Sequence, residues 1–509
     1  MSELQATLFS PPFLSIISFL FFLYFLIKWL TTRSPPNYKT LPPSPTKLPV
    51  IGNLHQLGLY AHRSLKSLSE RYGPLMLLHF GSKPVLVVSS PEIAREITKS
   101  HDLIFSGRPN LNITQKLFYN CKDIVAAPYG DHWRQARAIC VLHLLNTKRV
   151  KSFRAIREEE VDLLIKKIRD SGLEEVNLSE LFASITSDLI CRVAFGKKYG
   201  RGEEEDGKRF HEMLGDFMGL IGSFNIGQFI PWLGWINLVN GFDAKADRTA
   251  KEFDNFLDGV VEEHINNGGK EDLVHVLLDL QKNNNVGFSL DREGIKALIL
   301  DMFAGGSDTS STALEWTMTE LIRHPRVMKE LQNEVNKIAE QKSERSSIIT
   351  EADLEKMQYL KMVIKEGFRL HPPFPLLAAR ETTQDVKLMG YDIAAGTMVI
   401  TNAWAMATDP KRWTRPEEFW PERFLNNPID FKGQDFEFIP FGAGRRGCPG
   451  ISFSVPIIEL VLANLVHNFN WELPGGAMPE SLDISEAISL ATRRKNALRA
   501  IAIPVSSLG

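Results

Sequence analysis

Cysteine is scarce in this chain, with four in 509 residues, at Cys121, Cys140, Cys191 and Cys448. None stands at the short paired spacing of a zinc ligand set or a compact disulfide framework, so the sequence points to a reduced, cytosol-facing body. Positive charge is not in excess either: 59 Lys and Arg face 61 Asp and Glu, with no long basic run. That argues against nucleic acid as a partner. No glycine-rich dinucleotide fingerprint and no internal repeat is found, so the chain carries no recognisable flavin or nicotinamide site of its own. Low-complexity sequence is confined to a Pro-rich stretch and to Glu203-Glu204-Glu205-Asp206, read as a solvated loop.

One long hydrophobic run is present. From Pro12 to Leu30 the chain is almost wholly apolar and carries only Lys28. It is long enough to span a bilayer, and it lacks the basic start and small-residue cleavage site of a removable signal. Lys28, Arg33 and Lys39 follow it, which by the positive-inside rule leaves the rest in the cytosol. Residues 1–32 are therefore expected to form a transmembrane anchor and residues 33–53 a Pro-rich hinge. Within the hinge, Leu41-Pro42-Pro43-Ser44-Pro45 should form a stiff extended strut.

The remainder reads as mainly α with minor β. A hairpin is expected from Leu75–Phe80 and Pro84–Ser89, and strand patterns return at Thr397–Asn402 and Leu498–Val505. Helices are expected over Lys148–Asp170, Ser179–Phe195, Ala244–Asn266, Asp291–His324, Pro325–Glu340, Leu354–Leu370 and Val455–His467. Thr350-Glu351-Ala352-Asp353 has the form of a capping box.

The stretch with the most chemistry is Phe441-Gly442-Ala443-Gly444-Arg445-Arg446-Gly447-Cys448-Pro449-Gly450. Glycines crowded before a cysteine suit close backbone approach to a large flat group, and backbone N–H groups with a nearby cation, Arg446, would favour a thiolate. Here the sequence resembles the cytochrome P-450 family, whose haem loop runs Phe-x-x-Gly-x-Arg-x-Cys-x-Gly; Phe441, Gly444, Arg446, Cys448 and Gly450 all match. Two further motifs stand in the family's order. Glu366-Gly367-Phe368-Arg369 sets a carboxylate and a guanidinium three apart on one helix face, and Phe419-Trp420-Pro421-Glu422-Arg423-Phe424 supplies Arg423, which the resemblance implies completes a buried ion network with that pair. Ala304-Gly305-Gly306-Ser307-Asp308-Thr309 is similar to the family's oxygen-binding pattern, with Asp308 and Thr309 as acid and alcohol. Adjacent glycines in a helix cost about 1 kcal/mol each relative to Ala. A close haem face with an opening for dioxygen at Gly305 would justify that cost, and a small-residue helix contact is the plainer alternative.

The resemblance covers nearly everything after the anchor and is closest to plant microsomal A-type members. It implies the cytochrome P-450 fold as one haem-binding catalytic domain over 54–509, behind the anchor in the endoplasmic reticulum membrane. It implies haem b with Cys448 as the iron ligand, Trp133 and Arg137 as the family's Trp-x-x-x-Arg contact to the cofactor, and Arg380 and Arg446 at the propionates; Arg108 would be a further candidate. It implies a substrate pocket drawing on Asp301, Met302, Phe374, Leu376, Leu377, Ala378 and Leu490, apolar except for Asp301. That carboxylate would hold either a polar substrate group or nearby backbone. The activity implied is monooxygenation of a small lipophilic specialised metabolite, with dioxygen and electrons from NADPH-cytochrome P-450 reductase. A haem-dependent aldoxime dehydratase or isomerase-like enzyme, or a non-catalytic membrane haem protein, are the competing classes.

Overall fold

The computed structural model describes residues 11–31, 40–199, 205–267, 272–283, 290–341, 348–487 and 491–505. The helices used below are α1 (Pro11–Thr31), α2 (Asp131–Ile139), α3 (Arg154–Asp170), α4 (Leu178–Phe195), α5 (Glu205–Gly222), α6 (Phe242–Asn267), α7 (Leu273–Asn283), α8 (Arg292–Arg323), α9 (Pro325–Glu340), α10 (Gln358–Leu370) and α11 (Ile451–Asn468). The strands used below are β1 (Leu75–Phe80), β2 (Lys83–Val88), β3 (Glu175–Asn177), β4 (Arg380–Glu381), β5 (Met398–Thr401), β6 (Phe469–Glu472) and β7 (Arg499–Pro504). One sheet has the order β1-β2-β5-β4, with β2 and β5 parallel; a second has the order β3-β7-β6. Val85, Leu86, Val87 and Val88 are all buried, as a strand paired on both sides and covered on both faces requires.

α8 is the spine. Asp291 caps it by accepting a hydrogen bond from Gly294 N at 2.8 Å, and most of its side chains are buried on every face, against α4, α10 and α11. Two close crossings fix its place. A Cβ on Gly306 would lie 2.5 Å from Ile190 of α4, and one on Gly367 of α10 would lie 2.5 Å from Thr317 Oγ1 of α8. The poor helix former Gly367 is thus explained by packing.

Several expected elements differ in their limits. The helix expected over 148–170 breaks at Phe153, and that expected over 354–370 breaks before Gln358 after the capping box at Thr350 and Asp353 has closed a single turn. α11 begins at Ile451, a turn earlier than expected, and accommodates Pro456 in its second turn. Glu205 and Asp206 open α5 instead of forming a loop. Glu203 and Glu204 lie outside the described residues.

The Pro-rich strut is extended, as expected, but it lies along the body. Pro42 and Pro45 are buried, and the Pro43 carbonyl accepts from Leu77 N of β1 at 2.9 Å. α1 exposes Phe19, Leu20, Phe21 and Phe22, and the Phe25 ring meets Trp232 at 4.9 Å between centroids. Among the residues whose side chains are described, α1 offers the apolar run Ser15–Leu26, and α11 is by length and composition the helix that could cross a bilayer. Because 67% of it is buried inside the protein, it is a core helix.

Candidate active site

The Cys448 loop is shaped by its glycines. Gly442 and Gly444 take positive φ, +70° and +68°, and a Cβ on Gly444 would come within 2.6 Å of the Thr98 carbonyl. The Cys448 N–H donates to the Phe441 carbonyl at 2.9 Å, while the Phe441 ring packs edge-on against Phe368 of α10 at 5.1 Å. The loop is thereby keyed to the helix carrying Glu366 and Arg369. The Cys448 sulfur accepts from Gly450 N at 3.3 Å. Burial pushes the thiol up, against the pull of the Gly450 N–H and Arg137, although the residue keeps accessible surface. A group that is desolvated yet accessible faces an internal cleft. The cation beside the sulfur is Arg137, not Arg446 as the sequence suggested: Arg137 Nη2 donates to Gly447 O at 2.6 Å. Arg446 turns away, lies over the Trp133 ring at 4.2 Å and donates to the carbonyls of Ser106, Ile124 and Ala127.

Arg446 belongs to a cluster. Arg108 donates to the Val125, Ala378 and Ala379 carbonyls, each at 2.7 Å. Arg380 donates to Ala443 O at 2.8 Å, and Trp133 Nε1 donates to Ile124 O at 2.9 Å. Burial lowers the Arg108 guanidinium well below its ordinary value, helped by the charges of Arg446, Arg380 and Arg137. Burial likewise brings Arg446 down to about 9 and Arg380 to about 10. The carboxylates that face these arginines are Asp102 and Asp123, and Asp102 is also paired with Arg445. Four desolvated guanidiniums are therefore short of negative charge. A haem with two propionates fits this donor set, and a thiol facing the cleft fits its iron.

On α8 one stripe departs from the general burial. Met302, Ala304, Gly305, Gly306 and Thr309 keep accessible surface amid buried neighbours, and positions 302, 305 and 309 share one helix face. A Cβ on Gly305 would meet nothing within 4 Å, whereas Gly306 is the helix contact. The small-residue helix contact is thus realised at Gly306, and Gly305 is open. The Thr309 hydroxyl donates to the Gly305 carbonyl at 2.6 Å. Asp308 is buried on another face, ion-paired with Arg493 of the C-terminal loop. The two are therefore not in direct contact, because consecutive helix residues point about 100° apart. Gly305→Ala should leave stability unchanged or raise it by about 1 kcal/mol while filling the open face. Gly306→Ala should lose about 1 kcal/mol net, overpacking against Ile190 outweighing the better propensity. Thermal melts of the two variants check this.

The ion network is present as expected. Glu366 and Arg369 meet bidentately at 2.8 and 2.9 Å, both fully buried, and Arg423 Nε reaches Glu366 Oε1 at 2.9 Å. Arg369 also donates to the Ala407, Pro416 and Glu418 carbonyls. Removing one partner strands a buried charge, so Glu366→Gln or Arg369→Ala should destabilise the fold by roughly 3–5 kcal/mol. Denaturant titration measures the loss.

Among the expected pocket residues, Met302, Phe374, Leu376 and Leu377 are half-buried and Ala378 is exposed. Leu490 lies outside the described residues. Of the two uses considered for Asp301, the backbone one is realised: its Oδ2 accepts from Ile124 N at 2.7 Å. Burial and the neighbouring Asp123 push its carboxyl up. Asp123 itself is raised to about 6 by burial while accepting from Val125 N and Ala126 N. Sequence reasoning missed Asp123 and Arg493, since neither stands in a motif and both acquire their partners only through the fold.

Residues 42–498 match the family described as Cytochrome P450. The chain is 54% identical over 491 residues to "Cytochrome P450 736A117" of Prunus mume, covering 95% of this chain and 94% of that one. It is 49% identical over 480 residues to the "Tabersonine/lochnericine 19-hydroxylase" of Catharanthus roseus, covering 92% and 94%. Its fold is similar to that of a zebra fish cytochrome P450 solved with abiraterone, with a TM-score of 0.75 and 25% identity, over 88% of this chain and all of that one. With the family matched over residues 42–498, the chain belongs to the cytochrome P450 family and is an oxidoreductase of the monooxygenase type.

Proposed function

We propose that this enzyme oxidises a small lipophilic plant specialised metabolite, using dioxygen and electrons from NADPH-cytochrome P-450 reductase. The observation that carries the reading is the cleft-facing Cys448 beside an under-compensated cluster of four arginines. Cys448 would ligate the iron of haem b, and Arg108, Arg137, Arg380, Arg446 and Trp133 would meet its propionates, exchanging some of their present carbonyl partners for carboxylates. The haem supplies thiolate-ligated iron at which dioxygen is activated. The open stripe of α8 flanks the same cleft in this reading. Gly305 leaves room there, and the Thr309 hydroxyl can hold or pass a proton while anchored to the Gly305 carbonyl. Asp308, tied to Arg493, would feed that hydroxyl through an intervening water. Met302, Phe374, Leu376, Leu377 and Ala378 give the cleft an apolar wall suited to a lipophilic substrate. The hydroxylase named for tabersonine and lochnericine, half identical to this chain, supports the substrate class.

The test is turnover of a panel of lipophilic plant metabolites in reductase-bearing microsomes under labelled dioxygen. A product carrying one labelled oxygen atom supports the proposal. A product formed without oxygen uptake would overturn it.

The enzyme in this reading is held by α1 in the endoplasmic reticulum membrane, its catalytic body in the cytosol. The apolar side chains that α1 exposes would otherwise face water. Deleting Met1–Leu30 should release much of the protein from the membrane and leave the haem spectrum intact, since no cofactor residue lies there. Membrane fractionation and carbon monoxide difference spectra together check both halves.

A further inference from the structure

A second set of ligating side chains lies at the junction of α6 and α7, apart from the cleft residues. His264 stands near the end of α6, and Asp272 and His275 stand at the start of α7. His264 Nε2 is 3.2 Å from Asp272 Oδ2, and His275 Nδ1 is 2.9 Å from Asp272 Oδ1. One ligating atom from each residue can be chosen so that all three lie within 4.8 Å of one another. From these contacts we infer that His264, Asp272 and His275 form a zinc site that clasps the end of α6 to the start of α7.

Three features favour a metal over a merely satisfied cluster. His264 Nδ1 lies 2.7 Å from the Val260 carbonyl, which can only accept, so Nδ1 carries the proton. In a neutral imidazole this turns the Nε2 lone pair towards Asp272, and a backbone carbonyl fixing the tautomer is the usual outer support of a metal-bound histidine. Next, His275 Nε2 is enclosed without a hydrogen-bond partner among the described residues. The ring is thus not held as a fully satisfied structural histidine. Finally, the spacing suits the ion. With ligand bonds of about 2.0–2.1 Å, the edge of a zinc tetrahedron is about 3.3 Å, close to the 3.2 and 2.9 Å between the imidazole nitrogens and Oδ2 and Oδ1 of Asp272, and the three ligating atoms fall within 4.8 Å, so a small inward shift would close the set on one ion. Two imidazoles and one carboxylate favour zinc over the hard, oxygen-seeking calcium or magnesium. His264 and Asp272 are buried and His275 is partly exposed, which leaves a way in and a position for a water as fourth ligand. α7 packs on α4 and α8, so the clasp would bear on the spine of the fold.

The competing arrangement keeps the same contacts with a proton in place of zinc: an imidazolium His264 paired with Asp272, which caps α7 by accepting from His275 N at 2.9 Å. Zinc titration decides between them, using the haem-loaded full chain without an affinity tag, stripped with a chelator. Expected are one zinc bound per chain by calorimetry and a melting temperature raised by zinc. Asp272→Asn retains a good capping residue and removes the ligand charge. It and His275→Ala should each weaken zinc binding at least 10- to 100-fold and abolish the zinc-dependent rise in melting temperature. His264→Gln should do the same. Absence of stoichiometric binding in the wild type, or binding and thermal shift unaltered in Asp272→Asn and His275→Ala, would overturn the site.

Discussion

Replacing Cys448 by Ser or His abolishes the red-shifted Soret band that the reduced, carbon monoxide-treated enzyme is expected to show. The thiolate is the one ligand at this position that pushes electron density onto iron strongly enough to give that band. Burial pushes the free thiol up, so a thiolate at this position would draw its stability from the iron charge that bound haem would supply. The Gly450 N–H, which opposes the burial effect, would then serve the bound thiolate. Turnover should fall to background in both variants. Cys448→Ser changes one atom and should retain the fold, because Gly442, Gly444 and the Phe441–Phe368 contact shape the loop independently of sulfur. A variant that kept the thiolate band would remove Cys448 from the ligand position. The other cysteines are poor substitutes: Cys140 and Cys191 are fully buried, Cys121 is half-buried, and burial pushes all three thiols up.

Thr309→Ala is expected to keep the haem spectrum and substrate binding but to lower product formation by about 100-fold, the usual weight of a positioned proton donor. NADPH consumption should continue, its electrons appearing as hydrogen peroxide. The reason lies in the placement of the hydroxyl, held by the Gly305 carbonyl on the open stripe of α8, where alanine supplies neither donor nor acceptor. Asp308→Asn should slow turnover with a solvent isotope effect while coupling stays higher than in Thr309→Ala, because Asp308 acts at one remove. Its pairing with Arg493 adds a second handle, and Arg493→Ala should produce a weaker version of the same defect. The measurement is the ratio of product to NADPH and dioxygen consumed in wild type and variants. An aldoxime dehydratase or an isomerase-like enzyme would turn over without net oxygen consumption, and its Thr309→Ala variant would show no loss of coupling. Product formed at full rate with oxygen excluded would decide for that class, leaving the fold and the Cys448 assignment untouched.

Local pattern carried far in this chain because the loop and helix motifs are contiguous. The Phe441–Gly450 stretch needs its glycines for backbone reasons that hold whatever packs around it, and the i, i+3 spacing of Glu366 and Arg369 sets both on one face of any helix. The long helices α4, α6, α8 and α9 were legible from periodicity, with limits within a few residues. The sequence could not reveal the helix breaks at Phe153 and before Gln358, since periodicity continues across both. It also could not reveal that the Pro-rich strut lies on the body, because that depends on a carbonyl at Pro43 meeting β1.

What the sequence determined by itself was therefore the chemistry that adjacent residues carry: the thiolate loop, the acid and alcohol on α8, the ion pair on α10 and an apolar N-terminal helix. Only tertiary structure decided how charges are shared. Arg108, Arg137, Arg380 and Arg446 come from four separate segments. Which of them stands by the sulfur, and that Asp123 is buried among them, follows from how those segments are stacked. The same holds for the Asp308–Arg493 pair and for the two glycines of α8, one open and one pressed on Ile190. Backbone conformation is dictated over a few residues and can be read locally. Desolvation and Coulomb interaction depend on distances between groups far apart in the chain, and those distances exist only once the core has packed.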